Sequence, residues 1–294
     1  MNYHKIYFFT YGSFRKSIYE YYTNLKEYFK SKDINLINLH SKDIRKEIIK
    51  KDIKNSIIII TRSIVSRHPV RLYKRKNKYF YFNPEQLSNN KSNNILKIIV
   101  NKIRYNGIIS YANENINCIK NLNYFNKYKK YFIPYPTNLN IKKYTKKNIK
   151  FDVIFMGNYS TRRKKIIEQL KEKKMKVKIF HNDLWKNKKY LLYSQTKIVL
   201  DLRNIDTFKI QNVFRVYPAI YRKTLVVSEP NNENHPIDKF IIYEEYDKIV
   251  DKIVDVCNNY DYYYNKIFEN FDLTEIDKYN NKYLEEFINK EVKY

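Results

Sequence analysis

The sequence predicts an α/β protein built on two open, mostly parallel sheets, and three observations carry that prediction. Short apolar runs rich in Ile, Val and Phe recur along the chain, among them Ile57-Ile-Ile-Ile60, which suits a strand buried on both faces of a parallel sheet. Between such runs lie apolar residues at helical spacing, as in Phe14, Ile18, Tyr21, Tyr22, Leu25, Tyr28 and Phe29. The alternation stops at Ile133-Pro-Tyr-Pro136 and restarts at Phe151 after a polar, lysine-rich stretch, which implies two sheets rather than one.

In chain order, residues 6–10 read as the first strand, with Gly12-Ser13 as its turn and helix cap. A strand over 34–39, a helix over 43–53, strands over 57–60 and 79–82, a helix over 96–103 and a strand over 107–111 complete the first domain, residues 1–136. Residues 137–150 form the linker. The second domain, 151–258, carries strands at 152–156, 176–180, 197–202, 224–228 and 240–243, followed by a helical stripe from Tyr246 to Cys257. Residues 259–294 show helical patterns with no strand of their own. Such helices must bury their apolar face on something already made, so they are expected to pack back on the N-terminal domain.

Composition sets the class. The 294 residues are 43% hydrophobic and 17% aromatic, which excludes wholesale disorder. A formal net charge of +28 points toward nucleic acid or an anionic membrane face. The bias toward Lys, Asn, Ile and Tyr with only 3 Gly, as an A/T-rich genome would supply, accounts for it more simply as a mostly solvated surface. Cys118 and Cys257 stand far apart with no CxxC pair and read as two reduced thiols. Met1-Asn-Tyr-His-Lys5 leads into a strand without a signal-peptide pattern, and no apolar run reaches the roughly 18 residues of a spanning helix, so a cytoplasmic protein is expected.

The chemistry concentrates between Phe151 and Pro230. There a strand breaks at Gly157 and leads through Asn158-Tyr-Ser-Thr-Arg-Arg-Lys-Lys165 into a helix. A strand, a glycine turn and a helix start aim free backbone N–H groups at an anion, and positive charge on a helix N-terminus is unfavourable to the helix itself. Gly157, Asn158, Arg162, Arg163 and Lys164 are therefore candidate phosphate ligands, the plain alternative being a turn and a solvated helix start. Arg215 sits in the apolar segment Val213-Phe-Arg-Val-Tyr217, where a charge is costly unless paired, either with a ligand phosphate or with a structural carboxylate. Ser228 and Glu229 close the strand Leu225-Val-Val-Ser. The sequence holds no GxGxxG, Walker A, HExxH, GxSxG or Asp-x-Asp pattern, so a bound diphosphate would be neutralised by amides and Arg or Lys, with no metal.

The order of Gly157, Arg162-Arg163, Ile198-Val-Leu-Asp-Leu202, Arg215-Val-Tyr-Pro-Ala219 and Leu225-Val-Val-Ser-Glu229 resembles the C-terminal half of GT-B glycosyltransferases, in particular the group related to spore-maturation-type proteins. Phe82-Asn-Pro-Glu-Gln-Leu87, Ser110-Tyr-Ala-Asn-Glu-Asn115 and Ile133-Pro-Tyr-Pro136 fall in an order similar to that group as well. The resemblance implies two Rossmann-like domains facing a cleft, with a nucleotide-sugar donor on the C-terminal domain and an acceptor on the N-terminal one. It implies a hexosyltransferase-type enzyme in which Glu229 contacts a ribose or sugar, unless it is a simple strand-end cap. Gly12 and Ser13 would lie on the acceptor side, or merely cap a helix. Glu85, on the Asn83-Pro-Glu-Gln86 turn, and His40, after a strand, are the catalytic candidates; His181 has a similar setting, and all three have ordinary structural readings. The pattern departs from the family at Ile210 and Pro218, where retaining members carry Glu, and at Lys223, where they carry Gly. The alternatives are a basic GT-B-like protein that binds or modifies nucleic acid, and a catalytically inert sugar-nucleotide-binding or interaction module.

Overall fold

The structure, a computed structural model, describes residues 5–10, 18–40, 44–61, 76–83, 87, 96, 105–137, 148–180, 187–207, 209–232 and 234–293. The chain divides into two compact units, Met1–Pro136 with Lys278–Tyr294, and Thr137–Asp277.

The sheet of the first unit contains β1 (Lys5–Thr10), β2 (Asn35–His40), β3 (Ile57–Thr61), β4 (Lys78–Asn83), β5 (Gly107–Ser110) and β6 (Lys129–Phe132). All pairs are parallel, in the order β2-β1-β3-β4-β5-β6. The isoleucine run is β3, and every residue of it is buried, as a strand covered on both faces requires. Helix α1 (Tyr19–Lys30) buries Tyr21, Leu25 and Phe29 along one stripe. The Tyr21 hydroxyl donates to the Ile133 carbonyl at 3.0 Å and Asn24 donates to that of Pro136 at 3.0 Å, so α1 fastens the end of the predicted first domain. Helix α2 (Ile44–Lys50) follows β2. Two elements carry weak sequence signals: α3 (Asn113–Lys120), which is short and polar, and β6, whose leading Lys129-Lys130 disguises an edge strand that buries only Tyr131 and Phe132. The predicted helix over 96–103 lies, Leu96 apart, outside the described residues.

In the second unit, β7 (Phe151–Met156), β8 (Val177–Phe180), β9 (Thr196–Asp201), β10 (Leu225–Ser228) and β11 (Ile241–Tyr243) pair in parallel in the order β11-β10-β9-β7-β8. Here, as in the first unit, each strand predicted above lies within one residue of its observed bounds. The helices are α4 (Thr161–Glu172), α5 (Asn187–Ser194), α6 (Val213–Ile220), α7 (Ile249–Asn258) and α8 (Tyr260–Phe268). Strand β9 lies between β7 and β10, in register Phe155 to Leu200 and Asp201 to Ser228. The segments leaving the carboxyl ends of these three strands therefore emerge side by side, where parallel α/β sheets bind ligands.

The tail differs from its predicted boundary at residue 259. Helix α8 stays with the second unit because Phe268 and Phe271 pack on Phe240, at ring separations of 6.4 and 5.0 Å. The chain belongs to the first unit from Lys278, within α9 (Thr274–Phe287). There Phe287 meets Phe80 and Tyr131 edge-on, and Asn280 donates to the Tyr135 carbonyl at 2.9 Å. The π-helical turn Ile288–Val292 delivers Glu291, whose side chain is fully buried. It receives Lys129 at 2.7 Å, Tyr131 at 2.5 Å and Lys78 at 3.1 Å. Burial alone would raise the Glu291 carboxyl, but the bonds from Lys129, Tyr131 and Lys78 outweigh it and hold the group below its ordinary value.

Candidate functional site

Strand β7 ends at Gly157, which has a φ of +144°. Glycine is required there twice over. That φ is rare for any other residue, and a Cβ would stand 2.6 Å from Nη2 of Arg215. The turn then reaches Ser160, the N-cap of α4, which makes no side-chain cap bond; its hydroxyl donates instead to the Asn204 carbonyl at 3.4 Å. The first N–H groups of α4 thus keep the unpaired, anion-seeking character of a helix start.

The arginines expected to hold a phosphate are engaged by the protein itself. Arg163 is buried and donates to the carbonyls of Leu202 at 2.6 Å, Arg203 at 3.2 Å and Asn158 at 3.0 Å. Burial, and then repulsion from Arg215, lowers its guanidinium to about 9. Arg162 grips Glu229 through both terminal nitrogens and Asp206 through Nε at 2.5 Å. Its guanidinium carbon lies 3.7 Å from the centroid of the Tyr246 ring, and the Tyr246 hydroxyl donates to the Arg162 carbonyl at 2.7 Å. Burial opposes its charge, but Glu229 and Asp206 outweigh burial and raise the group above its ordinary value. Arg215, 2% exposed, pairs through Nη1 with Asp201 and lies over the Phe155 ring, while its buried Nε has no hydrogen-bond partner among the described residues.

These pairs bring in residues that the sequence reading does not single out. Asp201 closes the apolar strand β9 and also accepts from Gln211 at 2.6 Å. Asn231 donates to the Gln211 carbonyl at 2.9 Å and to the Tyr243 hydroxyl at 2.6 Å, and Tyr243 donates its single proton to Asp238 at 2.6 Å. Burial, and then Asp238, raises the Tyr243 phenol. Ser228 lies inside this net, 3.4 Å from Asp201 and 3.0 Å from the Glu229 carbonyl. Glu229 is 4% exposed and accepts the Arg203 N–H at 2.8 Å in addition to Arg162. A carboxylate inside an apolar strand, fourteen positions before an arginine inside an apolar helix, is the sequence signal that pairs Asp201 with Arg215.

Gly157, Asn158, Arg162, Arg163, Arg215, Ser228 and Glu229 therefore share one edge of the second sheet. Lys164 points elsewhere and pairs with Glu168 at 3.5 Å. In the first unit, His40 ends β2 opposite Thr10. Gly12, Ser13, Glu85 and His181 lie outside the described residues, as does the His40 side chain. Two of the three departures from the family have structural consequences. Lys223 takes the left-handed φ of +51° that a glycine would take, completing a helix C-cap in which Thr224 N–H bonds Ala219 at 3.0 Å and Lys223 N–H bonds Ile220 at 2.8 Å. Pro218 lies inside α6 and leaves one helical donor missing. Ile210 is simply buried. Among the described residues no cluster of His, Cys, Asp or Glu is placed to hold a metal ion, and no helix is long and apolar enough to cross a membrane.

No protein-family model matches the chain. It is 33% identical over 205 residues to the uncharacterized protein R358 of Acanthamoeba polyphaga mimivirus, covering 68% of this chain and 69% of that protein. It is 30% identical over 207 residues to the uncharacterized protein L140 of the same virus, covering 67% of this chain and 65% of that one. Among solved structures it resembles Anabaena HepE in complex with UDP and glucose, with a TM-score of 0.60 at 10% identity over 95% of both chains. It also resembles an alpha-glucosyltransferase in complex with UDP, with a TM-score of 0.59 at 10% identity over 95% of this chain and 94% of that one. The same kind of enzyme with UDP and a 13-mer DNA scores 0.59 at 10% identity over 96% and 99%. Likeness at this level of identity establishes the fold, two parallel-sheet α/β units of the GT-B type.

Proposed function

The chain belongs to the family of the mimivirus protein R358 and has the GT-B fold, and from these premises we propose that it is a glycosyltransferase using a nucleotide-sugar donor. The observation that carries the reading is the edge of the second sheet, where Gly157 opens α4 against the buried Arg215. In the reaction the bond from the anomeric carbon to the donor's distal phosphate oxygen breaks, and the acceptor atom bonds to that carbon. The nucleoside diphosphate leaves with the electron pair. The N–H groups at the start of α4 and the positive field of Arg162, Arg163 and Arg215 face that growing charge, and on this reading no metal is needed. Glu85 and His40 are the proposed acceptors of the acceptor's proton, and Gly12 and Ser13 line the proposed acceptor side. The shared order of motifs supports a place near the spore-maturation-type group, and the neighbours solved with UDP favour a UDP-sugar.

The test is a thermal-shift screen against UDP-, GDP-, ADP- and CMP-sugars, because a ligand that binds only the folded state raises its melting temperature. One base class should stabilise the protein and yield free nucleoside diphosphate on incubation. Absence of any response ends this reading.

One observation favours a second reading, in which the acceptor is nucleic acid. Residues 1–136 and 278–294 hold 31 Lys and Arg against 11 Asp and Glu, whereas residues 137–277 hold 27 against 19. The excess positive charge thus sits on the unit proposed to hold the acceptor. Binding of DNA or RNA that persists at physiological salt supports this reading, and loss of binding by that point reduces it to non-specific attraction.

A further inference from the structure

Resting on the donor-site reading above, we propose that Arg203 is the cation that contacts the donor's diphosphate, while Arg162, Arg163 and Glu229 position it. Four arginines, 162, 163, 203 and 215, meet three carboxylates, Asp201, Asp206 and Glu229, at the carboxyl edge of the second sheet. One positive charge is left over, and the hydrogen bonds identify it. Arg215 is committed to Asp201, Arg162 to Glu229 and Asp206, and Arg163 to three backbone carbonyls. The Arg203 guanidinium has no acceptor among the described residues, and the residue is only half-buried.

The other members of the cluster hold the Arg203 backbone in place. Its N–H is taken by Glu229 at 2.8 Å, and its carbonyl accepts Arg163 at 3.2 Å and Arg162 at 3.4 Å. The next residue, Asn204, accepts the hydroxyl of Ser160, the N-cap of α4. Arg203 is thus anchored beside the helix start where an anion is favoured, two residues beyond the end of the central strand β9. Arg162, with Nε and both terminal nitrogens on Asp206 and the buried Glu229, would have to leave a buried partner to meet a ligand, at high cost. Arg203 breaks nothing by doing so, and its planar fork suits two phosphate oxygens.

Isothermal titration of the full chain with UDP, GDP, ADP and CDP, and with inorganic pyrophosphate, tests the assignment using wild type, Arg203→Gln, Arg203→Lys and the exposed Lys165→Gln. Loss of one charge-assisted contact should weaken the bound nucleoside diphosphate and pyrophosphate roughly 10- to 100-fold in Arg203→Gln. Arg203→Lys should recover part of the loss, Lys165→Gln should match wild type, and the ligand-free melting temperature of both Arg203 variants should stay at the wild-type value. Wild-type binding that survives in Arg203→Gln within twofold overturns the role of Arg203 and leaves the donor site standing. A wild type that binds none of these ligands overturns both. Should Arg203→Gln not fold, Arg203→Lys decides: undiminished affinity there, with a lowered melting temperature, marks Arg203 as structural and overturns the proposal.

Discussion

Gly157→Ala attacks the candidate site at its tightest point. Two penalties can be worked from the structure. Alanine at a φ of +144° carries backbone strain of about 1–3 kcal/mol. Its Cβ would also lie 2.6 Å from Arg215 Nη2, with Arg163 Nη1 at 3.6 Å and the Phe155 ring at 3.7 Å. Arg215 has little room to retreat, because it is 2% exposed, tied to Asp201 and packed over Phe155. Any shift weakens a buried ion pair whose complete loss would cost about 3–5 kcal/mol. Strain and partial loss together come to about 3–5 kcal/mol. At about 2–4 °C per kcal/mol, this corresponds to a melting temperature lowered by roughly 6–20 °C. Thermal melts followed by circular dichroism read this directly. The clash makes a sharper demand in an Arg215→Met background, where the alanine penalty should shrink to the backbone strain alone, a coupling that a double-mutant cycle measures. Equal penalties in both backgrounds would show that Arg215 does not press on Gly157, and an unshifted melting temperature would refute the whole argument.

In the first unit, Glu291→Gln should destabilise by about 1–3 kcal/mol at neutral pH, since Lys78, Lys129 and Tyr131 lose a charged acceptor. The folded carboxyl is held below its ordinary 4.5, so its contribution is complete above that pH and fades as pH falls through the folded value; chemical denaturation should show a shallower acid limb in the variant. In the second unit, burial depresses His235 from 6.5 to about 3, and its Nδ1 accepts the Ile237 N–H at 3.0 Å, which a protonated ring could not do. The unfolded chain therefore binds the extra proton first. Stability should fall by about 1.4 kcal/mol per pH unit from pH 6.5 down toward 3, and His235→Asn, which keeps a cap acceptor, should abolish that slope. A variant with the same slope as wild type would place the acid sensitivity elsewhere.

The fold was legible because a parallel strand buried on both faces shows itself as an unbroken apolar run. Ile57-Ile-Ile-Ile60 and Leu225-Val-Val needed no knowledge of their neighbours. β6 and α3 were hidden for the opposite reason. An edge strand opening with Lys129-Lys130 and a helix spelled Asn-Glu-Asn-Ile-Asn-Cys-Ile-Lys acquire their character from what they pack against, and Lys129 is itself explained only by Glu291, more than 160 positions later. The tail is similar. Its helical pattern is plain, but the point of return depends on whether Phe268 and Phe271 find Phe240 or another partner, and spacing does not encode that choice.

The site was legible one residue at a time and not in its pairings. Gly157 and Arg215 stand out because each violates a local expectation, one by breaking a strand and the other by charging an apolar helix. A buried charge, however, must be neutralised by the fold itself, and the residue that neutralises it has no reason to be near in sequence. Asp201 answers Arg215 across 14 positions, and Glu229 answers Arg162 across 67. The conspicuous cations are thus ones whose charge the fold already answers, Arg162 by Glu229 and Asp206 and Arg215 by Asp201. Arg203 escapes notice because it trails the apolar strand Ile198-Val-Leu-Asp-Leu202 like an ordinary strand end. What distinguishes it is a backbone held by Glu229, Arg162 and Arg163, and a guanidinium that none of them uses.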